Sequence, residues 1–220
     1  MIAFLGTSHA AEHLYEAARQ KGVALTTDPK RADLIFVSED TPTDERGNRF
    51  LAPITNLLRE AAGYGVPIVL TSQVPPGFTR ATGLPEIYHQ AETLRIKDAM
   101  ERALAPDYIA VGCLTCQSYG LLPAAYREYL EAFACPVQIM TFEEAEFSKI
   151  AVNMFLAAQV DITNKLAVAA KRSDAYWPRV AKVLALDKRI GPDAYLTPGR
   201  WQDSLHLLRD HVTLEEILAR

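Results

Sequence analysis

Lys149, Asn153 and Asn164 are the residues of this 220-residue chain whose types and spacing first read as chemistry. An α-helix turns about 100° per residue, so Lys149 and Asn153 lie about 40° apart, and Asn153 and Asn164 about 20°. The three form one polar stripe on an otherwise apolar segment. An ammonium and an amide placed together can stabilise a developing oxyanion or hold a water; the same stripe also reads as a plain solvated face. A second set lies at the N-terminus, where a short apolar run leads into Gly6-Thr7-Ser8-His9-Ala10-Ala11. A dinucleotide-binding turn has G-x-G-x-x-G/A between a strand and a helix. Gly6 and Ala11 fit the first and third positions. Ser8 stands at the second, where a Cβ crowds the approach of a pyrophosphate. Asp28 follows Gly6 by 22 residues and either reads a ribose hydroxyl or caps the turn at 28–32. Segments 39–47 and 72–80 are either ligand loops at strand ends or turns rich in Pro, Asp and Gly.

These groups need a scaffold, and the chain supplies an alternating one. Apolar runs at 2–5, 23–27, 34–38, 67–72, 87–89, 108–112 and 137–140 read as strands. Residues 10–21, 53–62, 94–104 and 123–133 read as helices between them. The run at 34–38 is nearly continuous, the pattern of a strand covered on both faces. Strand–helix alternation predicts an α/β fold: a doubly wound, Rossmann-like parallel sheet over residues 1–140. The pattern then changes. Thr141-Phe142-Glu143-Glu144 is a capping box. Phe147, Ile150, Met154, Ala158, Ile162, Leu166 and Ala169 follow at helical spacing, with no proline or glycine between Pro136 and Pro178. One helix of about 30 residues is expected, about 45 Å long, followed by helices at 173–186 and 204–218. Residues 141–220 thus form a helical domain. A helix this long and apolar is expected to carry a homodimer interface.

Composition narrows the classes. Hydrophobic residues make up 49 % and the net charge is −4, so a core is expected and a basic nucleic-acid footprint is absent. The longest nearly apolar stretch, 150–160, is too short to span a bilayer. Three cysteines are not a disulfide framework, and the lone C-x-x-C of Cys113 and Cys116 predicts no metal. The cytoplasm is the expected location.

Several segments carry a resemblance. "DTPTDERGN" and "TSQVPPGFTR" resemble the V-P-T-P-x-D-x-x-G and S-T-V-P-P-G-T-T segments of the UDP-glucose/GDP-mannose dehydrogenase family. "AETLRIKDAMERALAPDYIAVG" is similar to its P-E-F-L-R-E-G segment and the strand after it. "EEAEFSKIAVNMFLAAQVDITNKLA" resembles its A-E-x-x-K-x-x-x-N-x-F-L-A helix, and "LDKRIGP" its D-P-R-I-G segment. The matches fall in order over nearly the whole chain. The resemblance implies NAD-dependent oxidation of a nucleotide-sugar CH–OH group, in a design of cofactor domain, central dimerisation domain and nucleotide-sugar domain. It puts the family's catalytic lysine on Lys149, its asparagine on Asn153 and a glutamate on Glu92. Gly6, Ser8, Asp28, Thr41 and Gln73 would border the cofactor, and the ligand would be a small sugar-like molecule or nucleotide.

Departures from the family pattern imply altered or impaired chemistry. An ungapped match puts His206 where the family has its catalytic cysteine, and imidazole does not replace a thiol that must form a thiohemiacetal. Neither Cys113, Cys116 nor Cys135 fits that place. Ile96 stands for the last glutamate of P-E-F-L-R-E, and Gln73 for a threonine. The segment between the second and third expected strands is short. The sequence ends soon after the His206 segment, so the nucleotide-sugar domain is expected to be missing. Weak or no NAD binding is expected, and two outcomes are carried forward: an NAD(P)-linked oxidoreductase with altered chemistry, and a non-catalytic binding or scaffold protein of the same descent.

Overall fold

The computed structural model describes residues 1–115 and 118–220, and of Ile96 only the backbone. Cys116 and the Ile96 side chain therefore lie outside the described residues. The chain divides into two compact units, Met1–Pro42 with Phe50–Lys149, and Thr43–Arg49 with Ile150–Arg220.

The first unit is the α/β part. Its strands are β1 (Ile2–Leu5), β2 (Leu34–Val37), β3 (Ile68–Leu70), β4 (Ile87–Gln90), β5 (Ile109–Cys113) and β6 (Val137–Thr141). Its helices are α1 (His9–Gln20), α2 (Ala52–Ala62), α3 (Phe78–Ala81), α4 (Ala99–Leu104) and α5 (Ala124–Glu131), with the start of α6 (Phe142–Arg172). The strands lie side by side in chain order. All pair in parallel except β4 and β5, which are antiparallel. This corrects the fully parallel sheet that the alternation implied. The 23–27 run gives one bridge, Ile2 to Leu25, on the side of β1 away from β2. The chain turns at once into a short 3₁₀ helix at Pro29–Arg31, leaving no length for a ladder. β1 thus has a neighbour on each side and is the point where the winding reverses, the place where such sheets open for ligands.

β2 explains its own continuous apolar run. Successive side chains point to opposite faces, and both faces are covered. Leu34 and Phe36 join Tyr126, Tyr129 and Leu130 in one core. Ile35 and Val37 join Ile54, Leu58 and Leu70 in the other. All four β2 residues are fully buried, each worth about 1.5–3 kcal/mol relative to exposure.

α6 starts as its sequence reads. The Thr141 amide donates to Glu144 Oε2 at 2.7 Å and the Glu144 amide to Thr141 Oγ1 at 3.4 Å, closing the capping box. It ends at Arg172. Asp174 takes the left-handed conformation (φ 56°), and the Ala175 amide closes onto the Ala170 carbonyl at 2.9 Å, the usual exit with a residue other than glycine. The 94–104 helix is shorter than expected, a 3₁₀ turn at Ile96–Asp98 followed by α4.

The second unit holds the rest of α6, α7 (Trp177–Leu186) and α8 (Leu205–Leu218). It also takes in Thr43–Arg49, an excursion from the β2–α2 connection. Thr43 bridges Arg49, and Gly47 (φ 88°) passes so close to α8 that a Cβ would meet Val212 Cγ2 at 2.7 Å. No described helix is long and apolar enough to cross a membrane.

Candidate functional site

The carboxyl ends of β1, β2 and β3 form one hydrogen-bonded cluster. Gly6 (φ 114°) is obligatory there, because a Cβ would sit 1.9 Å from the Ser38 carbonyl oxygen. Ser8 is the N-cap of α1: its Oγ accepts from the Ala11 amide at 3.0 Å and donates to the Ser38 carbonyl at 3.0 Å. Its side chain is buried, turned into the protein. The Ser8 hydroxyl therefore faces Ser38 and the start of α1. Glu39 meets the exposed turn: its Oε2 accepts from the Thr7 amide at 3.1 Å and its Oε1 accepts from the Asp40 amide at 3.0 Å. Ser72 Oγ accepts from the Glu39 amide at 2.8 Å, and Thr41 Oγ1 donates to the Gln73 carbonyl at 2.8 Å. Gly6, Ser8, Thr41 and Gln73 are thus brought together. Asp28 is not among them. It caps the 3₁₀ turn, accepting from the Lys30 amide at 3.1 Å, which is the second of its two sequence readings.

On the Tyr129 side of the sheet, a small cavity of about 30 Å³ opens beside the β3 and β4 ends. Thr71, Gln90, Glu92, Arg102 and Tyr129 are among its lining residues. Gln90 is held by the Tyr126 hydroxyl, which donates to its Oε1 at 3.1 Å. Burial raises the pKa of the Tyr129 hydroxyl. Glu92 accepts from the Leu94 amide. Lys149 does not line this cavity.

Glu146 is a site residue that the sequence reading did not single out. It is buried and accepts from the Gly77 amide at 2.6 Å and the Thr79 amide at 2.8 Å. Burial raises its pKa, and the bonds to Thr79 and Gly77 oppose the rise. Beside it Arg80 pairs with Glu143 through bonds of 2.5 and 2.8 Å. The first turns of α6 are thereby fastened to the 72–80 loop. One signal was available: Phe142, Glu146 and Ile150 recur every four residues on one helix face, so a glutamate there must be buried and hydrogen-bonded.

The polar stripe of α6 is divided in use. Lys149, half-buried, closes the first unit and makes no ion pair among the described residues. Asn153 is buried in the second unit and donates from Nδ2 to Asp210 Oδ2 at 2.6 Å. Asp210 also holds Arg49, which donates in addition to Thr213. Buried Arg209 lies 3.6 Å from the same carboxylate. Burial lowers Arg49 to about 10 against the pull of Asp210. Asn164 exchanges two bonds with the Gly199 backbone, at 2.8 and 3.0 Å. Both asparagine amides therefore serve packing, and Asn153 is not on a solvated face. His206 is exposed in the first turn of α8. Cys113 is buried and donates to the Thr115 and Met140 carbonyls. No metal-holding cluster of His, Cys, Asp or Glu occurs among the described residues.

A sheet with its winding reversal at β1, a glycine turn into α1 and loops gathered at the strand ends is the architecture of a Rossmann-type nucleotide-binding domain. The known proteins it resembles are narrower in kind. Residues 143–210 match the UDP-glucose/GDP-mannose dehydrogenase family, central domain. The UDP-glucose 6-dehydrogenase of Rickettsia typhi is 27 % identical over 195 residues, covering 82 % of this chain and 45 % of that protein. The UDP-glucose dehydrogenase structure from Pyrobaculum islandicum superposes with a TM-score of 0.74 at 22 % identity, covering 99 % of this chain and 64 % of that one. A ternary complex of GDP-mannose dehydrogenase from Pseudomonas aeruginosa gives a TM-score of 0.63 at 26 % identity, covering 88 % and 49 %. The chain resembles the UDP-glucose/GDP-mannose dehydrogenase family in sequence and fold, with the central-domain pattern over residues 143–210. It spans about half the length of the curated relatives it matches.

The NAD that this family implies does not fit the α1 turn as these residues build it. The Thr7 amide already serves a carboxylate and Asp28 is committed to its own cap.

Proposed function

We propose that the chain keeps the scaffold of an NAD(P)-linked oxidoreductase acting on a nucleotide-sugar CH–OH group, and uses it as a ligand-binding module whose oxidation is impaired. The observation that carries this reading is the commitment of Asn153 to Asp210 inside the second unit. One of the two Asn153 N–H donors is spent on a buried carboxylate, which draws the amide away from a water or an oxyanion. His206 at the cysteine position supports the same conclusion. A small sugar-like or nucleotide ligand belongs to the same proposal, with Glu92 and Arg102 lining the small cavity on the Tyr129 side. A cytoplasmic setting and a second copy of the chain as partner belong to the same proposal; Phe155 and Ile162 of α6, 73 % and 51 % exposed, support the latter.

Lys149, with no ion pair among the described residues, favours a second reading, an oxidoreductase that stops at the two-electron stage. Absorbance of NADH with UDP-glucose, GDP-mannose and simple sugar alcohols decides between them. No turnover above background is expected. Steady turnover that disappears in Lys149→Ala establishes the second reading.

A further inference from the structure

We propose that Glu39 is the residue that closes the α1 turn to the pyrophosphate of a dinucleotide. A pyrophosphate binds such a turn through the free amides at the start of the helix. Here the Glu39 carboxylate already accepts from the Thr7 amide, and Thr7 Oγ1 donates to the same oxygen at 3.4 Å. Its other oxygen is held by the Asp40 amide, and its own amide by Ser72. Glu39 is therefore fixed at both backbone and side chain. The surrounding turn cannot withdraw to make room, because Gly6 abuts the Ser38 carbonyl and Ser8 is tied to it. A pyrophosphate would have to displace one anion and then lie beside it, and like charges brought together at a binding surface oppose association strongly.

The inference takes from the functional proposal only the choice of ligand, and its readout is binding rather than turnover. Glu39→Gln keeps the size and the hydrogen-bond acceptor and removes the charge. Glu39→Asp keeps the charge. Titration calorimetry with NAD and with ADP is run on wild type and both variants, whose folding is checked by circular dichroism. Binding by Glu39→Gln at least about tenfold tighter than by wild type, with Glu39→Asp remaining weak, supports the assignment. Wild type binding as tightly as Glu39→Gln overturns it, and so does the absence of binding by all three. Turnover by wild type in the NADH assay would instead count against the impaired-oxidation reading.

Discussion

Both units bury apolar side chains, and the second adds a buried ion-pair network of Arg49 and Arg209 with Asp210. In the first, aliphatic and aromatic side chains such as Phe36, Ile54, Leu70, Tyr126 and Tyr129 fill both faces of the sheet. In the second, Asn153, Thr163, Arg209, Asp210 and Thr213 are inside, while Phe155, Val183 and Leu218 are outside. The first unit is stabilised by removing apolar surface from water, a non-directional force. The second has, besides its buried Ile150, Val160 and Trp177, a charge pairing that is directional and fails abruptly when one partner is lost. Phe155, Val183 and Leu218 leave apolar surface of the second unit in water, and that surface is the one proposed to meet a second copy.

The largest effects test each side of this contrast. Asp210→Ala leaves Arg49 and Arg209 without their carboxylate, and loss of one partner of a buried pair costs about 3–5 kcal/mol. Phe36→Ala should cost about 3–5 kcal/mol from the first unit by transfer and cavity terms. Denaturant titration read by circular dichroism checks both; a mild Asp210→Ala would mean that the polar network does not hold the second unit. Acid gives a smaller effect, specific to the first unit. His89 is buried, and burial depresses its pKa to about 4 from 6.5. A depressed value means that stability is fully present above 6.5 and is lost as pH falls toward 4, by up to about 3 kcal/mol. Acidification from pH 7 to 4 should lower the melting temperature of wild type more than that of His89→Leu. Ser8→Ala removes an N-cap and should cost about 1 kcal/mol. Phe155→Ser is the smallest for the isolated chain, within about 0.5 kcal/mol, and should act on association instead.

Legibility in the sequence followed the same division. Elements set by local rules were readable: the capping box at Thr141, the buried run of β2 and the long α6 all come from patterns spanning a few residues. The 173–186 helix began late, at Trp177, because Asp174 turned the chain first. The antiparallel β5 was not readable, since an apolar run carries no direction. The passage of Thr43–Arg49 into the second unit depends on Arg49 meeting Asp210, 161 residues away, and no periodicity records a pair so distant. Asp28 was readable as two alternatives, and only its hydrogen bond to Lys30 chose between them. Glu39 escaped notice for a related reason. At a strand end a glutamate looks solvated, and its role exists only because β1 and β2 are neighbours.

The contrast between the units is tested most directly by molecular mass in solution. Light scattering at tens of micromolar should give twice the 24.4 kDa of one chain, with Phe155→Ser shifting the distribution toward single chains. A wild-type mass of one chain at that concentration would contradict the account.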